Sequence, residues 1–98
     1  MADAPQAILC VPAGHAIFEG HFPGMPLVPG VMLLEWTLRE AARAMDLEPH
    51  DLRIRESKFF LPLRPGETAE LHLKVEARTV FRISRGADLL ASGVLEKT

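Results

Sequence analysis

The sequence predicts an α+β fold in which a curved antiparallel sheet wraps one long helix. Three observations carry that prediction. Residues 30–46 place Val31, Leu34, Leu38, Ala41, Ala42 and Met45 at helical spacing, and Met32, Leu33 and Trp36 widen the stripe. The first half of this helix is then apolar nearly all round, so it has to be covered on most sides. Residues 68–77 alternate Ala69, Leu71, Leu73, Val75 and Ala77 with polar neighbours, the pattern of a half-buried antiparallel strand. The remaining apolar runs are short and separated by Pro/Gly turns, which suits strands.

In chain order, Gln6 to Pro12 is a short apolar run stopped by Pro12 and reads as a strand. Ala13 to Pro29 is a loop region. Three prolines and three glycines between Gly20 and Gly30 stiffen it, because proline fixes φ and glycine permits turns closed to other residues. Pro29 suits the first helical turn, where its missing N–H costs nothing. Pro49 ends the helix region within residues 47–51. Residues 52–61 read as a strand ending in Phe59-Phe60-Leu61, and Pro62 to Glu67 as a turn. Residues 79–85 and 88–96 read as a hairpin turning at Gly86-Ala87-Asp88. Nothing near Arg78 marks a turn, so residues 68–85 fit either two strands or one bent strand.

At 98 residues the chain reads as one domain, residues 1–98, with a modest core that a dimer would supplement. A net charge of −2 implies no bulk attraction to nucleic acid or to an anionic membrane. All 11 basic residues lie from Arg39 onward. Arg78, Arg82 and Arg85 are candidates to receive an acidic partner, with solvated strand faces as the plain alternative. The single cysteine, Cys10, excludes an internal disulfide, fits a reducing compartment and is expected to be a small buried hydrophobe. No signal peptide or 18-residue apolar span is visible, so a cytoplasmic protein is expected.

The chemistry concentrates between His21 and Glu35. An imidazole suits proton transfer near neutral pH. Glu35 stands alone in Val31-Met32-Leu33-Leu34-Glu35-Trp36, where burial would raise its pKa and make it a proton donor. Pairing with Arg39 at i+4 is the plainer explanation. The amides of Gly30 and Val31 sit at the helix start, unbonded within the helix, and can hold developing negative charge. A base, an acid and an oxyanion site are what elimination of water from a 3-hydroxyacyl thioester requires. His15, Glu19 and His21 do not suggest a converging metal set, and no metal or organic cofactor is expected.

Phe18-Glu19-Gly20-His21-Phe22-Pro23-Gly24-Met25-Pro26-Leu27-Val28-Pro29-Gly30-Val31 through Glu35 resembles the signature of the FabZ/FabA-type 3-hydroxyacyl-acyl-carrier-protein dehydratases. Phe59-Phe60-Leu61-Pro62-Leu63-Arg64-Pro65-Gly66-Glu67 resembles that family's second landmark. The resemblance implies the hotdog fold, with His21 and Glu35 catalytic and Gly30 and Val31 as oxyanion donors. It also places Phe22 and Pro29 at substrate-binding positions. It implies an acyl-carrier-protein substrate and a dimer, homo- or heteromeric, in which His21 and Glu35 of one chain serve different sites. Trp36 and Arg39 stand where the family usually has Ala and Gln, and the chain reaches the motif without the family's leading helix. A carboxylate followed by Trp looks more like the short ApeI-like dehydratases of aryl-polyene clusters. Two other readings stay open: a hotdog thioesterase, in which a carboxylate activates water, and a non-catalytic partner of a larger dehydratase.

Overall fold

The computed structural model describes residues 4–15 and 27–98. Strand β1 (Ala7–Cys10) precedes helix α1 (Gly30–Ala44). A one-turn 3-10 helix (Pro49–Asp51) leads into β2 (Leu52–Phe59), β3 (Thr68–Val75), β4 (Thr79–Arg85) and β5 (Asp88–Lys97). All pairings are antiparallel, and the sheet order is β1-β3-β4-β5-β2. The predicted class therefore holds, and residues 68–85 form two strands, with Val75 opposite Thr79.

Strand alternation aims Ala69, Leu71, Phe81, Ile83 and Leu95 at the helix, where all five are fully buried. The alternation of β3 stops short of its prediction, since Val75 is exposed. Helix α1 meets the sheet through Leu33, Trp36, Thr37 and Ala41. Leu34, Leu38 and Met45 pack against the edges of that core. The burial arc is thus rotated from the predicted stripe, and Val31 is 65% exposed. Thr37 is accommodated because its hydroxyl donates to the Leu33 carbonyl at 2.8 Å.

Two bulges shape the sheet. Between Ile83 and Ser84 of β4 the register on β5 jumps from Ala91 to Leu89. Leu90 and Ala91 are both fully buried as a result, which strict alternation would forbid. The Leu90 carbonyl is freed from the ladder and accepts from Phe60 (2.8 Å) and Leu61 (3.3 Å). The second bulge, at Arg55, lets that side chain reach Glu96 at 3.3 Å beside the Arg53–Glu96 pair. The β4–β5 hairpin has two turn residues, Gly86 and Ala87. Gly86 carries φ 59° and Arg85 pairs with Asp88.

Candidate active site at the start of α1

Pro29 sits just before the helix, at φ −60° and ψ 140°, rather than inside its first turn. Its carbonyl accepts from Met32 at 3.0 Å and Leu33 at 3.4 Å. The N–H groups of Gly30 and Val31 find no acceptor among the described residues. The first turn carries no acidic side chain, so the positive end of the helix dipole is not neutralised by the helix itself.

The residue at position 30 must be small. A Cβ there would come within 2.9 Å of Phe59 Cζ and 3.1 Å of its Cε1. Phe59 ends β2, so the edge strand lays an aromatic ring against the helix start. Beside it is an open apolar groove of about 240 Å3, walled by Val28, Gly30, Leu33, Phe60, Pro62 and Leu63. That volume, walled by described residues alone, is below the roughly 300–1,000 Å3 of ligand pockets that enclose their ligand. The groove is stitched together by backbone, with Val28 N–H donating to the Leu63 carbonyl at 2.8 Å.

Glu35 lies one turn along from Val31, on the exposed arc that also carries Arg39 and Arg43. The expected burial of its carboxylate within the chain is therefore not found. The physical reason is the rotated burial arc: the sheet takes Leu33, Trp36 and Thr37 and leaves the Val31–Glu35 row outward. No ion pair with Arg39 forms among the described residues, and Arg43 reaches Glu40 at 3.9 Å. His21 and Phe22, the other predicted site residues, lie outside the described residues.

Other expectations also change. Cys10 is exposed on the edge strand β1 and is no core residue. The three late arginines do not form one patch. Arg78 is exposed in the β3–β4 connection and Arg82 faces out from β4, opposite His72. Arg85 is engaged by Glu67 at 2.9 Å, the Pro62 carbonyl at 3.0 Å and Asp88 at 3.3 Å. Residue patterns alone did not single out Phe59 or the Arg85–Glu67 pair. The available signals were the Phe59-Phe60 doublet before Pro62 and the acidic residue closing the Pro65-Gly66-Glu67 turn.

The sequence matches the model of the ApeI-like family, described as ApeI dehydratase, over residues 2–94. The chain belongs to the ApeI-like dehydratase family. The matched span takes in the helix start, the groove and Arg85. Among curated relatives, a 3-hydroxyacyl-[acyl-carrier-protein] dehydratase FabZ of Nitratiruptor is 38% identical over 72 residues, covering 60% of this chain and 49% of the relative. The FabZ of Haemophilus influenzae is 34% identical over 79 residues, covering 71% and 53%. The chain thus spans about half the length of these relatives. Among solved structures, the dehydratase heterocomplex ApeI:P from Xenorhabdus doucetiae superposes with a TM-score of 0.74 at 27% identity, covering 92% of this chain and 82% of that one. A variant of the fluoroacetyl-CoA-specific thioesterase FlK reaches 0.67 at 19% identity over 94% and 84%, which supports the hotdog fold alone. In this ApeI-like chain the antiparallel sheet and the helix packed on it are those of the hotdog fold.

Proposed function

We propose that the chain removes water from 3-hydroxyacyl thioesters held on an acyl carrier protein, giving trans-2-enoyl thioesters. One observation supports this above the others. The amides of Gly30 and Val31 have no acceptor among the described residues, and they open beside an apolar groove walled by aromatic side chains. A thioester carbonyl seated on those amides would have its developing negative charge stabilised by the helix start. The acyl chain would lie along Val28, Phe60 and Leu63, with Pro29 beside it.

In this reading His21 takes the C2 proton and the electron pair moves toward the thioester carbonyl. The C3–O bond then breaks and the hydroxyl departs as water, with Glu35 orienting or protonating it. Glu35 stands on the outward row of α1, so it serves the groove of a partner subunit rather than its own. The exposed Val31 on the same row, and the exposed Phe60 and Leu61 after edge strand β2, suit burial against that partner. A homodimer or a heterodimer with a related dehydratase satisfies this geometry. A carrier-protein substrate places the reaction in the cytoplasm. Aryl-polyene intermediates are a candidate substrate class beside aliphatic chains.

The reading is tested by incubating the protein with a panel of 3-hydroxyacyl carrier proteins and following loss of water by mass. His21→Ala and Glu35→Gln, folded and associated as wild type, should lose nearly all dehydration. Wild-type rates in either variant would sink the proposal, and thiol release without enoyl product would select thioester hydrolysis instead. The heteromeric character of the ApeI:P relative favours one further reading, a subunit that is active only with a related partner. An inactive isolated chain restored by such a partner would select it.

A further inference from the structure

We infer that Arg85 is a positioning residue for the acyl groove, acting by clamping the 60–67 turn that forms one of its walls. The inference rests on the dehydratase reading for its substrate and on geometry for the clamp itself. Arg85 ends β4, and its side chain is only 22% exposed. Its Nη1 donates to two acceptors at opposite ends of the turn, the Pro62 carbonyl (3.0 Å) and Glu67 Oε1 (2.9 Å). Nη2 reaches Asp88 at 3.3 Å across the hairpin. Glu67 Oε1 also accepts the Arg64 N–H at 2.8 Å, so the turn is tied internally as well as to β4.

What the clamp holds is what walls the groove. Phe60, Pro62 and Leu63 face the groove from this turn, and the Leu63 carbonyl pins Val28 two residues before the helix. The turn is fixed at three other points by backbone alone: Phe60 and Leu61 on Leu90, and Gly66 on Val11 at 2.8 Å. Arg85 is the one side chain among the described residues that reaches both ends of the turn. A planar guanidinium keeps Nη1 on the two turn acceptors while Nη2 stays on Asp88, whereas a lysine ammonium has no second nitrogen to anchor it to the hairpin. Releasing the clamp would loosen the wall formed by Phe60, Pro62 and Leu63 while the hydrogen bonds within α1 stay as they are. Acyl chains long enough to reach that wall would lose contact, and short ones would not.

The test uses Arg85→Met and Arg85→Lys in the full chain. Amide exchange over residues 60–67 and at Val28 should accelerate in Arg85→Met, while exchange in β3 and in the centre of α1 stays at wild-type rates. For chains of about ten carbons, kcat/KM should fall roughly tenfold, mostly through KM, while 3-hydroxybutyryl turnover stays within about twofold. Arg85→Lys should fall between. Unchanged exchange in the turn, or an equal loss at all chain lengths, would overturn the inference in favour of an ordinary stabilising contact. If wild type dehydrates none of the substrates, the dehydratase reading fails by itself. The clamp is then decided by turn exchange together with the chain-length dependence of saturated acyl-pantetheine binding, which must weaken for long chains only in Arg85→Met. Should Arg85→Met not fold, Glu67→Ala is read the same way.

Discussion

Asp46 closes α1 with φ 56°, a left-handed conformation that glycine adopts most readily. The Leu47 N–H returns to the Ala42 carbonyl at 2.8 Å and the Asp46 N–H to Arg43 at 3.4 Å, the two bonds of a Schellman motif. Aspartate tolerates this backbone less well than glycine, so Asp46→Gly should stabilise the fold by about 0.5–1 kcal/mol, read as a raised denaturant midpoint with unchanged slope. Gly93 is the opposite case. It lies across from Phe81, and an added Cβ would collide with the Glu56 carbonyl of β2 and come within 2.6 Å of that ring. Gly93→Ala should destabilise by about 1–3 kcal/mol, and because the Glu56 carbonyl stays in place, trimming the ring in Gly93→Ala/Phe81→Leu should return only a small part of the loss in a double-mutant cycle. Neither residue announced itself in the sequence. Asp46 is not the glycine that usually marks a helix end, and the need for Gly93 comes from the Glu56 carbonyl and the Phe81 ring, on two other strands that pattern reading does not pair with it.

At the scale of elements, the 60–67 turn behaves as a unit with a pH dependence. Glu67 is held below the ordinary carboxylate value of 4.5, first by the Arg64 N–H and then by the charge and hydrogen bond of Arg85. A carboxyl whose pKa is lower in the folded chain stabilises that chain above its unfolded pKa, and the contribution disappears as pH falls through the folded value. The stability difference between wild type and Glu67→Gln should therefore be constant above about pH 5 and shrink below pH 4.5, read by denaturation across that range. The positions of the main elements were legible because their periods are clean: α1 was expected at 30–46 and spans Gly30–Ala44, and β3 was expected to begin at Thr68 and does. The rotation of α1 was not legible. Leu33 and Leu34 are equally apolar, and only the sheet decides that Leu33 goes in. The same rotation turns Glu35 out, where a single chain viewed as a helical stripe would bury it.

For the whole molecule, the outward row of Val31 and Glu35 and the open groove are compatible with the proposed dimer. If His21 and Glu35 of each chain serve opposite sites, two inactive variants complement each other. Mixing His21→Ala with Glu35→Gln after subunit exchange makes about half the dimers mixed, each with one intact site of two, so activity should recover to about a quarter of wild type. Sites built within one chain would give no recovery. The motif from Gly20 to Glu35 was readable in the sequence as a unit of chemistry. Its distribution in space was not, because linear order carries no record of which side of a helix meets another subunit.

The β5 bulge at Leu90 carries one more consequence, in the timing of assembly. The turn after β2 hangs on the carbonyl of a residue some thirty positions later, and among the described residues β2 pairs only with β5. On the ribosome, the helix and β2 emerge well before the strand that gives them their wall. Until β5 arrives, β2 lacks its strand partner, and the Leu90 carbonyl that holds the Phe60 and Leu61 amides is absent. Closing such sequence-distant contacts is slow, and the waiting strand is exposed to wrong partners. The last strand is therefore the step at which a nascent chain of this kind commits to a groove or to aggregation.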